Sequence, residues 1–269
     1  MKNDFNKGLI LTSLGSFWWG FIGVIYFESV SFIGHTELVV HRCLWTAIML
    51  ILTTTFLSKW KIFLKEIKDK KKLIALFLSG FLIFVNWSIW IYALVTNRLI
   101  DASLGYYIFP LVMVLLGLVV FRETLSGLQW LSVLLAVSAV LVLTFGFGSP
   151  PWLAVVISLT FGIYGLLKRI IEVDSVVSVT LEVILLLPLA IAYLLWLGRM
   201  PDAATLGLLM FSGIITAGPL MLMTYSTQIV RLATVGLIQY LNPILQFFCA
   251  VVLLGEILTG WHLVAIALI

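Results

Sequence analysis

The chain has 269 residues, of which 62% are hydrophobic and 10% charged, and it carries a net charge of +4. Soluble domains run near ~25% charged, so this composition excludes a soluble enzyme, a nucleic-acid binder and a disordered scaffold. At about 20 residues per span, ten helices would take up roughly 200 residues and leave little but turns. The expected fold class is therefore an all-α integral membrane protein, a ten-helix bundle with almost no extramembrane domain. The positive excess needs no nucleic-acid partner, because most of it sits in one segment. Cys43 and Cys249 both fall in apolar runs, which argues against a disulfide framework.

In chain order, apolar runs predict spans near 8–30, 38–57, 73–96, 101–121, 127–147, 150–167, 176–197, 205–230 and 232–255. The first run is long enough to cross and lacks the small-residue cleavage site of a signal peptide. A tenth run begins near Gly260 and stops at Ile269, short of the ~20 residues a crossing needs. The expectation is a chain that ends inside its last helix, as a shortened version of a longer protein. The segment Ser58–Lys72 carries Lys59, Lys61, Lys65, Lys68, Lys70, Lys71 and Lys72 against Glu66 and Asp69. A short lysine-rich loop stays on the cytoplasmic side. Counting crossings from it puts Lys2, Lys7, Arg122, Lys168, Arg169 and Arg231 inside, and Arg98 and Arg199 outside. This predicts a multi-pass protein of the cytoplasmic (inner) membrane with a cytoplasmic N-terminus.

The chain also matches itself. One fixed offset carries Ser79–Gly80 onto Ser212–Gly213, Tyr92 onto Tyr225, Arg98–Leu99 onto Arg231–Leu232, Pro110 onto Pro243 and Glu123 onto Glu256. Leu125, Ser126 and Gly127 return as Leu258, Thr259 and Gly260, while Ala102–Gly105 answers Ala233–Gly236 with a slip of two positions. The repeat unit holds five spans, an odd number, so the second copy must enter the membrane upside down. The expected division is 1–147 and 148–269, two five-helix inverted-topology repeats with the last helix incomplete. Inverted repeats mark transporters that alternate access to a site between their halves.

The stretch Ala102-Ser-Leu-Gly-Tyr-Tyr-Ile-Phe-Pro110, followed by Phe121-Arg-Glu-Thr-Leu125, resembles the RarD-type permeases of the EamA branch of the drug/metabolite transporter superfamily. His41-Arg42, Asn86-Trp87 and Phe161–Leu167 belong to the same likeness, which covers essentially the whole chain. It implies a ten-helix exporter of small metabolites, such as amino acids, or of drugs, working without ATP hydrolysis. In one place the chain departs from the pattern: such permeases read Tyr-Ile-Asn-Pro-Leu in the fourth span, and position 109 here is Phe.

No phosphate-binding GxxxxGK[ST] run is present. His35, His41 and His262 have no metal-ligand spacing with each other or with cysteine. No cofactor, metal or catalytic group is therefore expected, and function falls to a translocation path marked by polar residues at depth. In the ninth span Gln239, Asn242 and Gln246 share a helical face beside Tyr240. Pro243 cannot donate to the Gln239 carbonyl, which predicts a free acceptor there. In the fourth span Tyr106, Tyr107 and Pro110 repeat the device. Asn86 with Trp90, then Trp87, Trp18, Trp19 and Tyr164, extend the candidate path away from the interfaces where tryptophan usually collects. His41, Arg42 and Glu182 are candidate proton or substrate-charge partners, with snorkelling to an interface as the alternative. Gly20, Gly23, Gly162 and Gly165 read as hinges or close contacts. The expected partners are a small-molecule substrate and the lipid bilayer. Two other classes stay open from sequence: a structural or accessory membrane protein, and a lipid-acting membrane enzyme.

Overall fold

A computed structural model of the chain describes residues 2–96, 98–147, 152–198, 201–255 and 259–268. The expected repeat partners Glu256 and Leu258, the loop residue Arg199 and the boundary at 148 lie outside the described residues, as do the side chains of Lys2 and His262. Three helices start where an aspartate accepts the first free backbone N–H groups, the usual N-cap device. Asp69 takes Lys71 and Lys72 at 3.0 and 3.1 Å, and Asp174 takes Val176 and Val177 at 3.1 and 3.2 Å. Asp202 takes Ala204 and Thr205, both at 3.0 Å. Hydrogen bonds from the Thr205 hydroxyl and N–H hold the Asp202 carboxyl below the ordinary carboxylate range.

The elements are α1 (Lys2–Phe17), a π-helical turn (Trp18–Gly23), α2 (Val24–Ser29), a 3-10 turn (Ser31–Ile33), α3 (His35–Phe56), α4 (Trp60–Glu66), α5 (Lys70–Val95), α6 (Leu99–Phe121) and α7 (Gly127–Phe147). There follow α8 (Trp152–Ile170), α9 (Ser175–Leu197), α10 (Ala203–Ile229), α11 (Leu232–Ile238), α12 (Leu241–Val252) and α13 (Gly260–Leu268). Among the described residues nine stretches are long and apolar enough to cross a membrane, and no strand occurs. The fold is an all-α membrane bundle.

Three expectations need correction. The first span is one unbroken α-helix in sequence terms, yet Trp18–Gly23 winds as a π-turn. The lysine-rich segment is no plain loop, because Trp60–Glu66 forms a helix inside it. The ninth span is split at Gln239–Tyr240 into α11 and α12. Pro243 explains the last: it falls in the first turn of α12, where a missing N–H costs little. The Gln239 carbonyl is not left free either, since it accepts the Asn242 N–H at 3.0 Å. By contrast α6, α9 and α10 run on through Pro110, Pro188 and Pro219.

The packing has a two-fold pattern. Exchanging α1 and α2 with α8, α3 with α9, α5 with α10, and α6 with α11 and α12 maps packed pairs onto packed pairs. Thus α6 lies on α8 as α12 lies on the first span, α10 on α3 as α5 on α9, and α1 on α10 as α5 on α8. Three pairs map onto themselves: α3 with α9, α6 with α11 and α12, and α7 with α13. The first two form the centre. In α9 61% of the most apolar window is buried inside the protein, against 12% in α7, which packs on α6 and α13 at the rim. The outer surface is apolar, with Phe56, Leu128, Phe145 and Trp196 each more than three-quarters exposed. Only lipid covers a girdle of that kind without cost.

Small residues set the closest crossings. A Cβ on Gly80 would lie 3.0 Å from the Glu182 carbonyl of α9, and one on Gly213 would run into the Trp45 carbonyl of α3. These two glycines occupy equivalent places in the repeat. Gly213→Val is expected to lower the melting temperature in detergent by the equivalent of about 1–3 kcal/mol. Gly207→Ala, with open space around it, should leave it unchanged or slightly raised, because alanine favours helix by roughly 0.5–1 kcal/mol. Equal melting curves for the two variants would refute the close-crossing account.

Candidate functional site

A cavity lies where the π-turn, α2, α3, α5, α6, α8 and α12 meet. It is lined by Trp19, Gly23 and Phe27 from the first span, Arg42 from α3, Asn86, Trp87 and Trp90 from α5, Tyr106 from α6, Phe161 from α8, and Asn242 and Gln246 from α12. Its atom-free space, part of it open to the outside, is about 380 Å3, and it is narrow enough to take only about two waters.

The two interruptions in the helices meet on one side of this space. Gly20 in the π-turn comes so near α12 that a Cβ would sit 2.7 Å from the Asn242 carbonyl. Breaks of this kind in a membrane helix survive where neighbouring protein or a wet cavity satisfies the backbone. Opposite them, α5 presents Asn86, whose amide nitrogen donates to the Ile157 carbonyl at 3.0 Å and the Thr160 hydroxyl at 3.2 Å. Its amide oxygen accepts from the Tyr106 hydroxyl at 3.2 Å. Asn86 thereby pins α5 to both α6 and α8 and fixes one wall. On the other wall the Gln246 amide nitrogen donates to the Asn242 amide oxygen at 3.0 Å, one helical turn away. The Gln246 amide oxygen is buried and has no partner among the described residues.

Arg42 is 4% exposed, so its side chain stays inside the protein. Its Nε donates to the Thr216 hydroxyl at 2.9 Å. Its guanidinium lies 4.5 Å from the ring centroids of both Phe27 and Trp87 and 6.0 Å from that of Trp90. Rings within about 6 Å attract a cation through their quadrupole, worth ~2 kcal/mol or more when the pair is desolvated. Among the described residues no carboxylate pairs with it.

The other expected residues divide as follows. Glu182 is fully buried and forms an ion pair with Lys168, which is 1% exposed on its side chain. Lys168 also donates to the Ser178 hydroxyl at 2.6 Å, and the Tyr164 hydroxyl donates to the second Glu182 oxygen at 3.4 Å. Tyr164 stacks on Phe161 at 5.9 Å between centroids, so this cluster adjoins the cavity through α8 without lining it. Gln239 accepts from Ser16 at 2.9 Å and faces α1. Among the described residues His41 is buried with both ring nitrogens unpartnered, and Tyr107 and Tyr240 are buried with unpartnered hydroxyls; none of them lines the cavity. Trp18 lies against Gly218 of α10. Gly162 and Gly165 lie against Val112 and Met113, a close contact of α8 with α6.

Sequence reasoning missed Phe27, an aromatic in an apolar helix with nothing local to distinguish it. It also counted Lys168 as a loop charge. The signal available for Lys168 was its place one helical turn beyond Tyr164, on the stripe Phe161, Tyr164, Lys168. At position 109 Phe is fully buried and packs on Phe161 at 4.7 Å between centroids. Its repeat equivalent is Asn242, so only one half brings an Asn-Pro pair to the cavity. Among the described residues no cluster of metal-ligating side chains occurs.

Residues 6–145, and again 149–269, match the EamA-like transporter family. The chain belongs to that family. It is 35% identical to an uncharacterized transporter of Vibrio cholerae, over all of this chain and 91% of that one. To the protein RarD of Salmonella typhimurium it is 34% identical, over 93% of this chain and 87% of the relative. A crystal structure shares the fold at a TM-score of 0.71, covering 98% of this chain and 94% of that one at 16% identity. Its family and relatives are transporters, and the chain is accordingly a membrane transporter and not an enzyme.

The Lys168–Glu182 pair gives a direct test of the electrostatics. Removing one partner of a buried pair strands a charge and costs about 3–5 kcal/mol, whereas replacing both by apolar residues is often near neutral. Lys168→Met and Glu182→Leu should each lower thermal stability strongly, and the double variant should recover most of it. Additive losses in the double variant would rule out the pairing.

Proposed function

We propose that the protein is a secondary transporter that exports small amphipathic metabolites such as amino acids, or drugs, by alternating access through the cavity around Arg42. The observation that carries this reading is the lining itself. Trp19, Arg42, Asn86 and Tyr106 come from the first half of the chain, and Phe161, Asn242 and Gln246 from the second. A site shared between halves is exposed to one side or the other when the halves rock against each other. The two-fold pattern of packed helices and the double family match support two repeats, 1–147 and 148–269, inserted in opposite senses. The narrowness of the cavity fits a conformation in which the helices must part before an amino acid enters. The lysine-rich segment supports an inner-membrane orientation with the N-terminus in the cytoplasm.

Counterflow in proteoliposomes loaded with amino acids and small drugs tests this. Saturable exchange is expected, and Asn242→Leu combined with Gln246→Leu should reduce it by at least about tenfold, as lost hydrogen bonds in a buried site do. A folded, monodisperse wild-type protein that exchanges nothing in the panel would sink the transport reading. Orientation is tested separately. Cys43 and Cys249 are buried, so a cysteine placed at Lys65 reports alone. It should react with an impermeant maleimide only after the cells are opened, and reaction in intact spheroplasts would reverse the assigned topology.

A further inference from the structure

The unpaired groups in the cavity are mostly donors. Arg42 offers five N–H groups, of which, among the described residues, only the Nε has a hydrogen-bond partner, Thr216. Phe27 and Trp87 take positions over its guanidinium. Neither ring accepts an in-plane hydrogen bond, so the terminal N–H groups stay available at the guanidinium edge. Among the described residues the indole N–H groups of Trp19 and Trp90, on the same lining, are buried and unpartnered too, and against these donors the one buried unpartnered acceptor on the lining is the Gln246 amide oxygen. Asn86 spends both amide hydrogens and one lone pair of its oxygen on protein partners.

A buried cation with no counter-ion costs free energy that the aromatic rings only partly offset. The cost disappears when a ligand supplies the negative charge. We infer that the cavity recognises a small organic carboxylate, whose acid group docks on the Arg42 guanidinium while a neighbouring ammonium or hydroxyl donates to Gln246. The planar guanidinium fork matches a carboxylate through two parallel hydrogen bonds, a geometry that an ammonium side chain would not reproduce. Trp19 and Phe161, in edge contact at 5.5 Å, are left for the apolar part of the ligand. This inference rests on the transport reading for its setting and adds a chemical requirement to it: the acid group must be ionised and free.

The test uses the full chain in detergent, with binding read by quenching of tryptophan fluorescence, and in proteoliposomes, with exchange read by counterflow. Each amino acid is compared with its own primary amide, which keeps the side chain and ammonium and loses the negative charge. For at least one pair the acid is expected to bind at least about tenfold more tightly than the amide, the weight of a charge-assisted hydrogen bond. Arg42→Gln should erase that preference, and Arg42→Lys should keep part of it. The acid–amide comparison on the wild type stands even if Arg42→Gln fails to fold. Equal binding of acid and amide, or no binding of any acid by folded wild type, overturns the carboxylate assignment. Exchange of amides and amines as fast as acids overturns it while leaving transport intact. Chloride that quenches and competes as well as the best acid would make this a halide site and would overturn it as well. Acid-selective binding without exchange would uphold the site and refute transport instead.

Discussion

A guanidinium enclosed in an apolar helix bundle is the constraint around which this structure is arranged. An arginine inside a membrane helix is costly, on the order of 2.5–3.5 kcal/mol at the helix centre on insertion scales, and Arg42 lies two turns inside α3. The fold could have avoided that by letting the side chain reach an interface. It instead holds Arg42 at 4% exposure between Phe27 and Trp87, with Thr216 fixing its Nε. Those three partners come from α2, α5 and α10. The cation therefore ties together helices of both halves and defines where the cavity lies.

The second buried cation is handled differently. Lys168 meets a carboxylate, Glu182, and a hydroxyl, Ser178, in a cluster that is closed. α8 joins the two: the carbonyl of Ile157 holds Asn86, Phe161 lines the cavity, Tyr164 stacks on Phe161 and donates to Glu182, and Lys168 completes the pair. One helical stripe thus runs from the cavity to a saturated ion pair, and Gly80 brings the α5 backbone against the same Glu182. A shift of α8 would disturb both ends at once. Paired and unpaired charges fall to different roles on these grounds: Lys168 and Glu182 hold α8 and α9 together, whereas Arg42 is left with capacity to bind.

Much of this was legible in the sequence because a membrane imposes strict rules on composition. Span number, approximate bounds and the helical class follow from apolar length alone. Arg42, Asn86, Trp87, Trp90, Tyr106, Asn242 and Gln246 could be singled out because polar or interfacial residues at depth need a reason, and the structure places them on one cavity. The inward face was harder. Gln239 shares a helical face with Asn242 and Gln246 only if the span is continuous, and the break at Gln239–Tyr240 turns it to α1 and Ser16. The position of that break was implicit in Pro243, whose ring displaces the carbonyl four residues earlier, that of Gln239. Pro110 occupies the same place in the repeat and breaks nothing. A proline alone therefore does not decide whether a span breaks.

The π-turn was invisible for a related reason. Trp18–Gly23 carries the apolar content and glycine spacing of an ordinary close-packed membrane helix, and only its neighbour distinguishes it. Gly20 sits against the Asn242 carbonyl, at the point where the other interrupted span begins α12. Each irregularity thus lies beside the other, and the two enclose one side of the cavity. A regular helix presents its backbone groups along its own axis, already satisfied. A π-turn and a helix start turn a few of them sideways, towards whatever fills the space between. At the cavity the two members of one sequence self-match part company: Asn242 lines it, whereas Phe109 packs on Phe161.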